Sequence, residues 1–342
     1  MRIGLIYERF EDFVWDPSDP PDADAEWEPE ETVAALERAI AHLGHEPVRL
    51  GTPEALLRSG RPAVDAAFSI AEGRAGRFRE ARILALLELW GIPYIGSDPL
   101  TLALSLDKAW TKDLVAAAGV RTPPYRVYRP GEEPDPADLP GPFPLFVKPR
   151  YEGSSKGITP QSRVESFSAL REQVRWITST YRQDALVECF IEGGEFTVAV
   201  AGNNPPRAYP VLQRAVEVRT GIGLHALEHR GMPAGNWAYR ADWPLTPELE
   251  AALQEASLRV YRKLECRDFA RLDFRLDPEG RIWFLEINPL PTFAPDGTFG
   301  ILAQYMGKPY EVFLAELLSP ALERLHGEIS RGRDRSDGPG LL

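Results

Sequence analysis

The sequence predicts a mixed α/β (α+β) protein, in which an open, largely parallel α/β unit precedes a part built on antiparallel sheet. Three observations carry this. Over roughly residues 1–100, short apolar runs alternate with amphipathic helical stretches, the pattern of a parallel sheet with crossover helices. From Ala185 onward strand-like runs follow one another closely, which favours antiparallel pairing. A chain of 342 residues with 44% hydrophobic content is also long enough for two or three compact units.

Arg2–Tyr7 is a short apolar strand, followed over residues 8–29 by an acidic, Pro-rich stretch expected to be a lid or a loose insertion. Glu31–Leu43 is an amphipathic helix stopped by Gly44, and Pro47–Leu50 a strand. Val64–Ile70 reads as a buried strand, Arg79–Trp90 as a helix closed by Gly91, and Pro93–Gly96 as a strand. A helix is expected over Leu100–Ala118, then strands at Tyr125–Tyr128 and Leu145–Lys148 around a Pro-rich linker. Glu165–Tyr181 is helical; Leu186–Ile191, Glu195–Ala201 and Ala208–Val211 are strands. Residues 214–240 are Gly-rich with two histidines and read as a mobile loop. Helices at Leu249–Leu264 and Ile301–Leu318 flank a hairpin, and residues 327–342 form a polar, frayed tail. No internal repeat is present.

The net charge of −12, with no basic stripe, argues against nucleic acid or an anionic membrane as partner. No apolar run approaches the roughly 18–20 residues of a membrane span, and the first residues lack the apolar core of a secretory signal. Two cysteines, Cys189 and Cys266, give neither a disulfide framework nor a CxxC metal spacing. A cytoplasmic location is the expectation. Of 39 basic residues only six are lysine, and a compact lysine does not substitute freely for arginine where a phosphate sits in a tight loop. Lys108 and Lys148 are therefore candidates, against the plainer alternative of surface lysines.

The hairpin Phe269–Thr298 is the most informative segment. Arg271-Leu-Asp273-Phe-Arg275-Leu and Ile282-Trp-Phe-Leu-Glu286-Ile-Asn288 both alternate with period 2 around the turn Asp277-Pro-Glu-Gly280. A turn pairing Leu276 with Arg281 sets Asp273 against Phe284 and Arg271 against Glu286. Arg271, Asp273, Glu286 and Asn288 then share one face, with Leu272, Phe274, Trp283, Leu285 and Ile287 on the other. Two carboxylates, an amide oxygen and a guanidinium suit a Mg²⁺ ion carrying phosphate. A solvated hairpin face with an incidental ion pair is the alternative. Upstream, Pro144–Ile158 is a strand feeding the loop Gly153-Ser154-Ser155-Lys156-Gly157, whose backbone amides and hydroxyls can converge on an anion. Lys148 stands at the strand end; no Gly-Lys-Ser/Thr opens a helix, so this is not a Walker A loop. An ordinary turn is the alternative there. In Leu186–Val198 an apolar run between Glu188 and Glu195 could hold a nucleobase, although acids at strand ends are common.

In this order the segments GSDPLTLALSLDKAWTKDLVAAAGV, PLFVKPRYEGSSKGI, ECFIEGGEFTVAV and FARLDFRLDPEGRIWFLEIN resemble the ATP-grasp superfamily, and within it the D-alanine–D-alanine ligases. LLELWGIPYIGSD extends the resemblance into the first hundred residues. It implies an ATP-grasp fold behind an N-terminal open α/β (pre-ATP-grasp) domain: residues 1–100, a central subdomain 101–183, a C-terminal subdomain 184–326 and a flexible tail 327–342. It implies ATP contacts by Lys108, Lys148, Ser155, Glu188, Ile191 and Glu195. Asp273, Glu286 and Asn288 would hold Mg²⁺, with Mn²⁺ as a substitute. Arg271 and Ser154 would be catalytic. The implied chemistry is phosphorylation of a carboxylate to an acyl phosphate, then attack by an amine whose oxyanion Arg271 stabilises. Small amino acids or related molecules would be the substrates, and dimerisation is common in the family.

The departures cluster around the amino-acid pocket. After the asparagine the family runs Thr-x-Pro-Gly-Met-Thr; here Pro289–Ala294 puts Thr292 at the oxyanion glycine, and the acceptor-binding serine falls on Gly297, beside Thr298. Glu72-Gly73 replaces a His-Gly pair, and Tyr7–Glu11, with Glu8 and Glu11, replaces a glycine-rich loop carrying a substrate-binding acid. The family's loop tyrosine has no clear match in 214–240, where His225 and His229 stand. Glu72 favours an ammonium or a cationic donor. An intact ATP half and a rewritten acceptor half imply a ligase of changed specificity; a regulator that holds ATP without turnover is the alternative.

Overall fold

In the computed structural model, residues 1–223 and 239–336 are described. Four parallel strands, ordered Glu46–Gly51, Arg2–Ile6, Ala66–Ser69 and Tyr94–Ile95, make an amino-terminal sheet. Ile3 and Leu5 point to one face, where Val33 and Leu36 of helix Glu30–His42 and Leu314 and Leu317 of helix Tyr310–Ser336 cover them. Ile6 and Ala67 point to the other, against Ile83 and Leu84 of helix Ala81–Leu89. This is the open α/β unit expected from the alternation of strands and helices. A helix at Pro53–Ser59, N-capped by the Thr52 hydroxyl, was not expected; seven residues are too few to show a helical period.

A second, antiparallel sheet is ordered Tyr125–Tyr128, Ala185–Cys189, Leu145–Pro149 and Arg163–Val164, with helix Phe167–Thr180 against its apolar face. Ala185–Cys189 thus lies in the middle of this sheet, beyond the expected division at 183/184. The third sheet is ordered Arg207–Ala208, Gly194–Ala201, Phe269–Leu276 and Ile282–Asn288, and Leu212–Arg214 also pairs with Gly194–Ala201. Helix Pro247–Lys263 covers its apolar face through Leu253, Val260 and Tyr261. The strand expected at Ala208–Val211 is split around Pro210, which has no N–H to give to a ladder.

Two expected helices are each broken. Leu100–Ala118 becomes Pro99–Leu106 and Lys108–Ala117, because Asp107 caps the second with bonds from Ala109 N and Trp110 N, both 3.2 Å. Ile301–Leu318 becomes Thr298–Tyr305 and Tyr310–Ser336; Gly307, at φ 66°, ends the first, and Pro309 precedes the second. The second helix carries residues 327–336 of the segment expected to fray. Residues 8–29 are not a loose insertion, since Asp22, Glu26, Trp27 and Glu28 are all buried. His225 and His229 lie outside the described residues.

The hairpin register departs from the expectation. Leu276 pairs with Ile282, Arg275 with Trp283 and Phe274 with Phe284; the register then shifts, so Asp273 pairs with Glu286 and Arg271 with Asn288. The extra residue is Leu285. A bulge reverses the alternation on one side of it. Arg271, Asp273, Glu286 and Asn288 still share a face, but Phe284 takes the core place expected for Trp283 and Leu285. Leu285 instead lines a cavity on the polar face.

Candidate active site

The polar face of the third sheet is the floor of the site. Asp273 is 2% exposed, and Arg271 donates to its Oδ2 at 3.0 Å. Glu286 lies half-buried beside Lys108, whose ammonium is 3.8 Å from Oε2. Burial works against ionisation of Glu286, yet Lys108, Lys148 and Arg271 hold it below the ordinary carboxylate range. Asp273 Oδ1, Arg271 Nε and Asn288 Nδ2 are buried polar atoms with no partner. A buried acceptor without a partner is costly unless something occupies it in the working protein.

On one side of this floor is a narrow cavity of about 90 Å³ between the second and third sheets. Lys148, Ser155, Glu188, Ile191, Glu195, Asp273 and Glu286 line it. Val147 and Val187 pair across the second sheet and face its core, so Phe146, Lys148 and Glu188 must face the cavity. Glu188 sits between two ammoniums, Lys148 at 2.8 Å and Lys112 at 2.6 Å. Burial alone would raise Glu188; the lysines outweigh it and bring the carboxyl down to about 2. Lys112 is fully buried and drops to about 8, whereas Lys148, which also feels Glu286, stays above its usual value. Glu195 is bound by Arg275 at 3.0 Å, and Arg275 also donates to the Ile191 carbonyl at 2.7 Å. Arg214 stands 3.6 Å from Glu195 and 3.7 Å from Asp273.

Lys112, Arg214 and Arg275 were not singled out from the sequence. Lys112 had a signal, since it is one helical turn beyond Lys108 and shares its face. Arg275 continues the alternation Arg271, Asp273, Arg275. Arg214 is an arginine in a three-residue strand and had none.

The glycine–serine loop turns sharply: Ser154 and Ser155 are both left-handed, at φ 43° and 58°, a conformation that strains residues with a side chain. Ser154 faces the larger cavity and Ser155 the narrow one. The loop amides do converge on anions, and these belong to the acidic stretch 8–29. Gly153 N donates to Glu26 at 2.6 Å, and Gly157 N to Asp22 at 2.8 Å. Tyr181 also donates to Asp22 at 2.7 Å. Arg79 and Lys156 clamp Glu26 at 2.5 and 2.9 Å. Burial opposes ionisation of Glu26, but those two cations bring it down to about 2.

The larger cavity, about 370 Å³, lies on the other side of the floor, closed by residues 25–29, 152–154 and 286–297. Lys108, Ser154, Arg271, Glu286 and Asn288 line the end nearest the floor; Glu72 and Thr292 line it as expected. Three expected pocket residues do not. Glu11 is exposed in a short turn of 3₁₀ helix. Glu8 is buried below the cavity and accepts the Gly73 N–H at 2.8 Å. Thr298 opens a helix one residue beyond the lining Gly297. Glu26 and Glu28 take the place assigned to Glu8 and Glu11, because the chain after the first strand folds back and delivers its far end to the pocket. Glu80 lines it too, and burial with the neighbouring Glu26 raises its carboxyl to about 7, although Arg79 pulls the other way. Glu72 is pushed well above the ordinary range by burial and by Glu80.

A parallel sheet followed by two antiparallel sheets, whose lysines and carboxylates close on one cleft, defines an ATP-grasp protein. The structure superposes on a D-alanine–D-alanine ligase from Bacillus anthracis complexed with ATP, with a TM-score of 0.71 at 21% identity over 96% of this chain and 99% of that one. At that identity the likeness speaks for the fold alone. A family profile described as D-ala D-ala ligase C-terminus matches residues 114–319. The chain is 32% identical to a D-alanine–D-alanine ligase from Aquifex aeolicus, over 84% of this chain and 94% of the relative. It is 34% identical to an uncharacterised protein from Sinorhizobium fredii, over 76% of this chain and 75% of the relative. The chain belongs to the D-alanine–D-alanine ligase family, whose members are ATP-dependent ligases forming a C–N bond.

Proposed function

We propose that this enzyme phosphorylates a carboxylate with ATP and joins it to an amine, making a dipeptide-like amide. One observation supports this most: Glu286 lines both cavities, at the point where the narrow, lysine-bearing one meets the larger, acidic one. ATP in the narrow cavity would set its base beside Glu188 and Ile191, its ribose toward Glu195 and its phosphates toward Lys108, Lys148 and Ser155. The two amino-acid-like substrates would occupy the larger one.

Asp273, Glu286 and Asn288 fit a hard cation. Asp273 has an unpartnered buried oxygen, and reversing the Asn288 amide would present a second. Among the described residues no three His, Cys, Asp or Glu side chains form a metal cluster, so phosphate and water oxygens would complete the shell, as Mg²⁺ or Mn²⁺ prefers. Bound there, the cation supplies neutralisation of charge on the transferred phosphoryl group. Lys108 and Lys148 orient the phosphates, and Ser154 offers a hydroxyl at the reacting end. A carboxylate oxygen attacks the γ-phosphorus and ADP leaves. The amine then attacks the acyl carbon, the oxyanion lies against Arg271, and phosphate departs.

D-Alanine is the substrate named for the relative, and the altered Glu72 and Pro289–Ala294 favour a different pair. The expected homodimer, the cytoplasmic location and the absence of nucleic-acid and membrane partners belong to the same proposal. Among the described residues no helix is long and apolar enough to cross a membrane. We place a domain boundary near residue 100 and the middle one past Cys189; helix Tyr310–Ser336 runs through the boundary expected at 326. Phosphate release from ATP with a panel of D- and L-amino acids tests the function. Glu286→Gln should abolish release and leave the fold intact; near-normal turnover at saturating Mg²⁺ would remove the metal assignment.

A further inference from the structure

We infer that the carboxylate-donor substrate carries a second positive charge, an amine or guanidine on its side chain, seated against Glu72 and Glu80. This rests on the ligase reading and names the substrate class of the same cavity. Its basis is the charge balance of the cavity wall.

Arg79 and Lys156 are the buried cations behind that wall, and four carboxylates surround them: Glu26, Glu72, Glu80 and Glu152. Arg79 is spent on Glu26 at 2.5 Å and stands farther from Glu80, at 3.7 Å. Lys156 is shared by Glu26 at 2.9 Å and Glu152 at 2.5 Å. Glu72 has no ion-pair partner among the described residues. Lys108 also acts on Glu80 but stands against Glu286 at 3.8 Å, and Glu72 and Glu80 hydrogen-bond each other. The unmatched negative charge therefore falls on this proton-sharing pair, both members of which line the cavity. Buried charges left unmatched are expensive, so such a pair either holds protons or meets a cation that the protein does not supply.

An α-amino acid with a neutral side chain does not account for the pair. Its carboxylate must reach Arg271 and Lys108 to meet ATP, its single ammonium is satisfied by one carboxylate, and the acceptor sharing the cavity attacks as an uncharged amine. Glu28 is available for that role. It lines the cavity, is 7% exposed, and is bonded by the Thr32 hydroxyl at 2.9 Å, by the Thr292 side chain and by the Phe293 backbone, with no cation paired to it among the described residues. With Glu28 engaged, Glu72 and Glu80 remain for a second basic nitrogen. With the donor's acid group toward Arg271 and Lys108, the lining as a whole fits a molecule with one acid and two basic groups.

The test compares basic amino acids with their uncharged isosteres as carboxylate donors. D- and L-2,3-diaminopropionate, ornithine, lysine and arginine would be assayed for ATP-dependent phosphate release against alanine, serine, norvaline and norleucine, with a common panel of amine acceptors. The wild-type enzyme should prefer the basic set by about tenfold or more in kcat/KM, the equivalent of one good charge pairing. Glu72→Gln, and separately Glu80→Gln, should shrink that preference mainly through KM. The substrate panel on unaltered enzyme keeps the test valid if either variant folds poorly. Turnover of neutral isosteres as good as or better than that of the basic set would overturn the inference and leave the ligase reading standing. No release with any pair, despite ATP binding, would overturn both.

Discussion

The two cavities that meet at Glu286 handle charge in opposite ways. In the narrow one the inner carboxylates have cations at close range: Glu188 has Lys112 and Lys148, Glu195 has Arg275 and Asp273 has Arg271. In the larger one Glu28, Glu72 and Glu80 are only partly matched. A site for a fixed, polyanionic co-substrate can be preset with balanced ion pairs, whereas a site that selects a charged substrate must leave its own charge open. The same contrast separates a part of the molecule that defines a reaction from a part that defines its specificity.

The largest effect is expected where charge is balanced. Glu188→Ala would leave Lys112 and Lys148 buried and unpaired, and should lower the unfolding free energy by about 3–5 kcal/mol. Urea denaturation measures this, and a loss below about 1 kcal/mol would mean that water reaches the lysines and the contrast is overstated. Arg271→Met should reduce kcat by about 10²–10³, the usual cost of one oxyanion donor. An equal loss appearing only in KM would move Arg271 from catalysis to binding.

The pH dependence of stability should differ in sign between the two sides. Glu188 is depressed to about 2 from an unfolded value of 4.5, so its contribution is complete above 4.5 and fades as pH falls toward 2. Glu80 is raised to about 7, so folding is favoured when it is protonated, and that advantage declines as pH rises from 4.5 to 7. Glu80→Gln should therefore raise Tm at pH 8 and leave it unchanged at pH 4. A lowered Tm at pH 8 would show that Arg79 already compensates Glu80.

How much could be read from the sequence follows the same division. Arg271, Asp273, Glu286 and Asn288 were legible because strand alternation puts side chains on defined faces within one hairpin. Lys148 and Glu188 each stand out in a local strand motif. The bulge at Leu285 was not legible, since Trp283, Phe284 and Leu285 are all apolar and either alternation satisfies a core. Glu26 and Glu28 were missed because an acidic, Pro-rich stretch has no period to read, and the partners of Glu26 at Arg79, Gly153 and Lys156 are remote in sequence. Local chemistry leaves a local signature; a pocket assembled from distant segments does not.

The smallest effect concerns the strap that joins the two sides. Asp22→Ala removes the acceptor for Gly157 N–H, a buried bond whose loss costs on the order of 1–3 kcal/mol locally. Amide exchange at Gly157 should quicken and KM for ATP should rise, with kcat little changed. Unchanged exchange would mean that the strap does not hold the loop.

The central claim is that a carboxylate in the larger cavity is phosphorylated by ATP in the narrow one. Transfer of ¹⁸O from a labelled carboxylate substrate into inorganic phosphate tests it most directly. One labelled oxygen is expected in each phosphate released, dependent on a carboxylate and an amine together and absent in Glu286→Gln. Phosphate released without label, or ATP bound and never cleaved with any pair, would contradict it.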